Sequence, residues 1–194
     1  MDTNLTYSQV GQDLWVLSKL KEPGYFIDIA AGNGIDLSNT YLLEKNGWNG
    51  ICIEPSEDFM ELVTNRTCIC VHTAIWSHEG LVKFTDKGYG SFVGEGDPRW
   101  AITIKRLFEM FSVPKVIDYI SLDVEGSEYE ALLGFPWEYK VKLWTIEHNF
   151  ARDGGVLKEK IKDIMTGHGY KIAREDVYCG PDPFEDWWYN PELI

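Results

Sequence analysis

The stretch Phe26-Ile27-Asp28-Ile29-Ala30-Ala31-Gly32-Asn33-Gly34-Ile35-Asp36 constrains this chain more than any other. An apolar run ends in an acid, and small residues follow where a strand gives way to a helix. Such a turn lets backbone N–H groups approach a ligand closely, with the next helix N-terminus behind them. A chain that opens this way is expected to bind a nucleotide-like cofactor at the carboxyl ends of parallel strands.

The remaining pattern agrees with that architecture. Short, uniformly apolar runs at 25–29, 50–55, 68–72, 117–122 and 141–146 read as central parallel strands buried on both faces. Amphipathic segments separate them, which predicts an open, mostly parallel α/β sheet with helices on both sides. Residues 7–20 read as a first helix capped by Ser8, with Val10, Leu14, Leu17 and Leu20 on one face. Ser38 or Asn39 is expected to cap the next helix, and 102–111 to be helical. Residues 81–84 alternate like an edge strand, and 170–173 with 187–189 read as a closing antiparallel pair. The glycine-rich segment 87–100, carrying Tyr89, Ser91, Phe92 and Trp100, is the least regular part. A loop of that length is usually functional, so it is expected to be the acceptor lid. Trp187 and Trp188 are expected either to form its other wall or to fill the core.

At 194 residues the chain suits a single domain spanning 1–194, with an N-terminal helical segment over 1–24. The formal net charge of −13 and the lack of any basic run argue against a nucleic-acid partner. No apolar stretch has membrane-spanning length, and Met1 to Tyr7 lacks the basic and apolar regions of a signal peptide. Cys52, Cys68, Cys70 and Cys179 form no CxxC pair. A reducing, cytoplasmic setting is therefore the expectation, with no membrane partner.

Two cofactors compete for the turn. A dinucleotide needs Gly-x-Gly-x-x-Gly, and although Gly32 and Gly34 fit the first two places, Leu37 holds the third. S-adenosylmethionine has no pyrophosphate and needs only small residues there, plus a carboxylate for its ribose diol at the end of the second strand. Glu54, twenty positions after Gly34, ends that strand.

Several motifs in order resemble FkbM-type methyltransferases. They are Tyr7-Ser8-Gln9-Val10-Gly11-Gln12-Asp13, Asp28-Ile29-Ala30-Ala31-Gly32-Asn33-Gly34, Leu37-Ser38-Asn39-Thr40 and Trp48 to Pro55. Ser121-Leu122-Asp123-Val124-Glu125-Gly126-Ser127-Glu128, Ile146-Glu147-His148-Asn149 and Asp186-Trp187-Trp188-Tyr189 complete the likeness, from about Tyr7 to Asn190. It implies a class I methyltransferase fold: a seven-stranded sheet with an antiparallel last strand. It also implies S-adenosylmethionine as donor and, usually, O-methylation of a small molecule or sugar. Ala30 stands where the family often has glycine, which matters if the backbone there needs a positive φ.

The resemblance also assigns roles. Asp28, Ala30 and Asn33 would line the methionine end of the donor. Ser38, Asn39 and Gln9 would hold its carboxylate, Glu54 its ribose, and Ala74 and Ile75 would flank the adenine. Adjacent strand ends open into one crevice, so Asp123, Glu147, His148 and Asn149 are expected to converge beside the donor methyl. His148 or Asp123 would be the general base, with Glu125 a nearby alternative and Glu128 facing solvent. Asp123 and Asn149 could also hold a divalent cation such as Mg²⁺, as strand ends do in catechol-type O-methyltransferases; a polar cluster without metal is the competing reading. His168, at a helix end, is read as a favourable C-terminal cation. The acceptor is expected to be a small hydroxylated molecule or a glycan. A catalytically inactive, methyltransferase-like binding protein is the alternative.

Overall fold

The apolar strands assemble as their patterning requires. The computed structural model describes residues 6–87 and 91–194. The chain runs through α1 (Gln12–Lys19), β1 (Tyr25–Ile29), α2 (Tyr41–Lys45), β2 (Asn49–Ile53), α3 (Phe59–Asn65) and β3 (Ile69–Val71). Then come β4 (Ala74–Ile75), β5 (Gly80–Thr85), β6 (Phe92–Val93), β7 (Asp97–Ile102) and α4 (Ile104–Phe111). The last part holds β8 (Val116–Leu122), α5 (Glu128–Leu133), β9 (Lys140–Glu147), α6 (Phe150–Asp153), α7 (Val156–Gly167), β10 (Lys171–Cys179) and β11 (Asp182–Tyr189).

The main sheet has seven strands in the order β10-β11-β9-β8-β1-β2-β3. β3, β2, β1, β8 and β9 are mutually parallel, and β11 runs antiparallel to both its neighbours. The chain builds outward from β1 through β2 to β3, then returns to the other side of β1 at β8. That reversal opens a crevice at the carboxyl ends of β1 and β8.

Strand alternation divides the core into two layers. Ile27, Ile29, Ile51, Ile53, Ile120, Leu122, Trp144, Ile146 and Trp188 pack on one face with Leu107 and Phe108 of α4, Leu132 of α5, and Ile161 and Met165 of α7. Phe26, Cys52, Tyr119, Leu143 and Trp187 pack on the other face with Trp15 and Val16 of α1, Leu43 of α2 and Leu62 of α3. Each such aliphatic side chain, fully buried, contributes about 1.5–3 kcal/mol, so these two layers carry the fold and leave polar residues at the strand ends free for binding. Trp187 and Trp188 are both fully buried. They are core residues, one in each layer, and not a wall of the acceptor site.

Three expected elements differ. The first helix starts at Gln12, behind Gly11 with φ of 89°. Ser8 does not cap it: Ser8 pairs with Leu37 in an isolated parallel bridge and donates its hydroxyl to Asp13 at 2.7 Å. The buried Asp13 carboxylate also accepts Thr6 Oγ1 and the Tyr7 N–H, tying the segment before the helix onto the domain. The supposed lid loop over 87–100 belongs largely to a second sheet, ordered β4-β7-β5-β6. Glycines at 94 and 96, both at positive φ, let β6 and β7 turn sharply where the sequence suggested irregularity. Tyr89 lies outside the described residues. Strand β7 runs to Ile102, and α4 follows, capped by Thr103, whose hydroxyl accepts the Arg106 N–H at 3.0 Å.

His168 also departs from expectation. Its ring stacks on Trp137 at 3.8 Å, and burial followed by nearby Lys140 lowers its pKa, which works against a cation at the C-terminus of α7. Among the described residues no helix is long and apolar enough to cross a membrane.

Candidate active site

A cavity of about 360 Å³ occupies the crevice at the carboxyl ends of β1, β2, β8 and β9. On the first strand, Asp28 is buried and accepts the Thr40 hydroxyl at 2.5 Å. Burial raises its pKa, and the charge of Arg66 with the Thr40 and Ser121 hydroxyls pulls it back. The neighbouring Asn39 donates its amide to Ser121 Oγ at 2.8 Å. Its Oδ1 is buried with no donor. An orphaned acceptor in a cavity wall is a position where a ligand N–H would be satisfied.

The glycine turn is built on left-handed backbone. Ala30, Gly32, Gly34 and Leu37 have φ of 70°, 54°, 84° and 57°. A Cβ on Gly34 would come within 2.7 Å of Leu62 and 2.8 Å of Arg66, so the turn also needs glycine there for space. Ala30 and Ala31 donate their N–H groups to the Ile53 carbonyl, fastening the turn to the end of β2. Glu54, the next residue after that strand, accepts the N–H of Gly32 and of Ser56, each at 2.8 Å. Each carboxylate oxygen keeps a second lone pair for a ligand hydroxyl. Burial raises the Glu54 pKa against these bonds.

Arg66 holds the far side of the turn. Its side chain is buried against Phe26, pairs with Glu44 at 2.6 Å, and donates to Gly34 O at 3.3 Å and Thr40 Oγ1 at 3.0 Å. Against partial burial, the Thr67 hydroxyl and then the Arg66 pair and the Thr67 N–H hold the Glu44 carboxyl down at about 2. No sequence motif marked Arg66; a lone arginine at a helix end reads as solvent-exposed.

The strand-end acids face each other across the reactive end. Asp123, Glu128 and Glu147 place carboxylate oxygens within 4.8 Å of one another. Burial, with Glu125 nearby, pushes Asp123 up to about 6, although Glu147 bonds to it and offsets part of the rise. Burial and then the Asp123 charge raise Glu147. One Glu147 oxygen accepts the Asn149 amide at 2.7 Å, and the other has no donor. Glu185, opposite Glu147 in the register with β11, is likewise buried and pushed up to about 8.

Most of the sequence-derived residues meet on this cavity. Gln9, Asp28, Ala30, Ser38 and Asn39 line one side, Glu54, Ala74 and Ile75 another, and Asp123, Glu125 and Asn149 the third. Two do not. Asn33 turns outward and closes its own loop, accepting the Ile35 and Asp36 N–H groups and donating to Asp36. His148 points to the opposite face of the sheet from Glu147, because successive strand residues alternate. Its buried ring lies beside Asp186 and lines a separate, smaller cavity. His148 is therefore not the base beside the donor.

Glu128 is fully buried, not solvent-facing, since its carboxylate accepts the Val124 and Gly126 N–H groups of the turn before α5. Glu125, at φ of 55°, is ion-paired with Arg152 at 2.7 Å. The N-cap of α2 is Thr40 rather than Ser38 or Asn39; Ser38 Oγ, outside the helix, accepts the Thr40 N–H at 3.3 Å and the Tyr41 N–H at 3.1 Å while still facing the cavity. The second sheet contributes Phe84, Ser91 and Val93 to the wall, and the β10–β11 hairpin contributes Cys179 and Phe184. Gln9 reaches across to donate to Cys179 Sγ at 2.9 Å.

Strand order, strand direction and a cavity at the switch point together define a class I methyltransferase fold. The profile of the Methyltransferase FkbM domain matches residues 28–172, and the chain belongs to that family. Among solved structures, the methyltransferase FkbM from Methylobacillus flagellatus KT is 17% identical with a TM-score of 0.62. The alignment covers 97% of this chain and 46% of that one, so the chain spans less than half of that protein's length. An O-methyltransferase candidate from Klebsiella pneumoniae aligns over 96% of this chain and 82% of its own, at 11% identity and a TM-score of 0.60. The magnesium protoporphyrin IX methyltransferase ChlM from Synechocystis PCC 6803, with bound SAH, aligns over 92% and 80%, at 12% identity and 0.51. At these identities the likeness is one of fold. No curated protein sequence matches.

Proposed function

We propose that this chain transfers a methyl group from S-adenosylmethionine to a hydroxyl of a small acceptor such as a sugar or glycan. The observation that carries the reading is the convergence of Asp28, Asn39, Glu54, Asp123 and Glu147 on one cavity at the strand ends. Asn39 Oδ1 and Asp28 offer acceptors to the ammonium end of an amino-acid moiety. Glu54 offers lone pairs to a ribose diol, with Ala74 and Ile75 as the apolar flank for a base. When bound, the donor supplies an electrophilic methyl on a sulfonium centre. ChlM, which shares the fold, has been crystallised with bound SAH, in keeping with this assignment.

The chain's own contribution to the reaction is orientation and proton removal. Asp123, raised to about 6, is ionised at neutral pH yet basic enough to take a hydroxyl proton as the new bond forms. Glu147, held by Asn149, orients the acceptor hydroxyl from the next strand. A hard divalent cation, if used, would sit on Asp123 and Asn149, with Glu147, which accepts the Asn149 amide, as a further carboxylate close to Asp123. Activity untouched by EDTA removes that version.

Isothermal calorimetry with S-adenosylhomocysteine tests the donor site, and no heat at millimolar ligand sinks it. A labelled-donor assay against glycans, phenols and amines tests the acceptor. Product binding with no transfer to any acceptor class favours the non-catalytic binding protein instead.

A further inference from the structure

Behind the active site lies a buried cluster of His148, Asp176 and Asp186 that the methyl-transfer reading does not use. His148 is 1% exposed, and neither ring nitrogen has a hydrogen-bond partner. Asp186 of β11, also 1% exposed, accepts the Asp176 N–H through Oδ1 at 2.7 Å and leaves Oδ2 without a donor. A buried imidazole with both nitrogens unmatched, next to a buried carboxylate with an unmatched oxygen, calls for a missing partner.

We infer that His148, Asp176 and Asp186 form a transition-metal site, with zinc as the fitting ion. One nitrogen or oxygen from each residue lies within 4.8 Å of the other two. His148 Nε2 and Asp186 Oδ1 are 3.5 Å apart. That is long for a hydrogen bond. Zinc with bonds of about 2.0–2.1 Å in tetrahedral geometry holds its ligand atoms roughly 3.4 Å apart. One imidazole and two carboxylates are a borderline donor set that zinc accepts and magnesium does not favour.

The backbone delivers these groups for identifiable reasons. His148 and Asp186 fall on the same face of neighbouring strands by alternation, and Asp176 sits at φ of 53° where the β10 register shifts. Lys158 Nζ bonds Asp176 Oδ1 at 2.6 Å, which fixes that carboxylate from behind as ligating carboxylates usually are. His148 also borders a cavity of about 200 Å³ with Tyr129, Arg152 and Leu157, while Asp176 and Asp186 lie outside its wall, so the imidazole is the ligand nearest to open space. The assignment is independent of the methyl donor and of the strand-end acids.

The test uses the full chain, stripped with chelator and titrated with Zn²⁺ by calorimetry and with Co²⁺ by visible absorption. One equivalent of zinc is expected, with Co²⁺ d–d bands of a low-coordinate N/O site. Binding weakens at least 100-fold in both His148→Ala and Asp186→Asn, and survives Asp123→Asn. No binding to the unsubstituted chain overturns the site, whatever the variants do. Binding that shows thiolate charge-transfer absorption and vanishes in Cys68→Ser overturns it too, by placing the metal on the Cys52–Cys68 pair, whose sulfurs are 3.5 Å apart.

Discussion

Glu54 accepts the Gly32 N–H at 2.8 Å, so the acid that ends the second strand is tied directly to the glycine turn that follows the first. The residue proposed to bind the ribose therefore also shapes the loop that closes over it. Glu54→Gln keeps the length of the side chain but loses the charge. A hydrogen bond to a charged group is worth about 1.5–3 kcal/mol, so calorimetry is expected to show S-adenosylhomocysteine binding weaker by roughly 10- to 100-fold. Unchanged affinity would remove Glu54 from the donor site.

Asp123→Asn and Glu147→Gln should behave in the opposite way. Both sit at the reactive end, so the turnover number is expected to fall by about 10²–10⁴ while product affinity stays within a few-fold. Steady-state kinetics beside calorimetry separates the two effects. Full turnover in both variants would place the chemistry elsewhere.

The strand-end acids make stability depend on pH in a definite direction. Asp123 and Glu128 titrate at about 6 and 7 in the folded chain, above the ordinary carboxylate range that applies when it is unfolded. Between those limits the folded state binds more protons, so stability falls as pH rises from about 4 to about 7. Melting curves should shift down across that interval, and Asp123→Asn should flatten the shift. With Asp123 as the proposed base, turnover is expected to rise over the same range, so that optimum activity and optimum stability lie at different pH.

Ala30 pays for its position. A non-glycine residue at φ of 70° is strained by about 1–2 kcal/mol, and glycine would relieve this at the cost of extra freedom in the unfolded chain. Ala30→Gly is expected to stabilise by roughly 0.5–1 kcal/mol, a rise in melting temperature of about 2–3 °C by differential scanning calorimetry. A fall in melting temperature would mean that the alanine methyl packs to a benefit greater than its strain.

Removing Arg66 leaves Glu44 unpaired and releases Gly34 and Thr40. Arg66→Met should destabilise by about 3–5 kcal/mol, as breaking one side of a buried pair does. Chemical denaturation of Arg66→Met and of Arg66→Met/Glu44→Gln checks this, because the double variant should recover part of the loss.

What the sequence made legible followed its periodicities. Five strands of the main sheet were visible as apolar runs, and Asp28, Glu54 and Asp123 declared themselves at their ends; the closing pair was seen only in part, over 170–173 and 187–189, because much of β10 and β11 is polar. His148 was misplaced because proximity in sequence was allowed to outweigh alternation: Glu147 and His148 are neighbours and must point to opposite faces. Glu128 looked exposed because a helix-start acid usually is, and only the folded turn supplies the two N–H groups that bury it. Of the second sheet only β5 was legible, as the alternation over 81–84; β4 and β6 are two residues long, and β7 was hidden behind the glycines that precede it. Arg66 gave no signal, because its partners lie in two segments distant in sequence, Gly34 in the glycine turn and Thr40 with Glu44 in α2 and its N-cap.

The contact between Gln9 and Cys179 carries a consequence for the order of assembly. The cavity wall recruits residues from 9 to 184, and the two sides of its rim meet across 170 positions of sequence. Such a pocket cannot mature piecemeal. As the chain leaves the ribosome, β1 to β3 and the glycine turn can form early, yet they have no acids of β8 and β9 to face and no hairpin to close against. The nascent domain stays without a finished pocket until β10 and β11 have docked, which couples acquisition of ligand to the emergence of that hairpin.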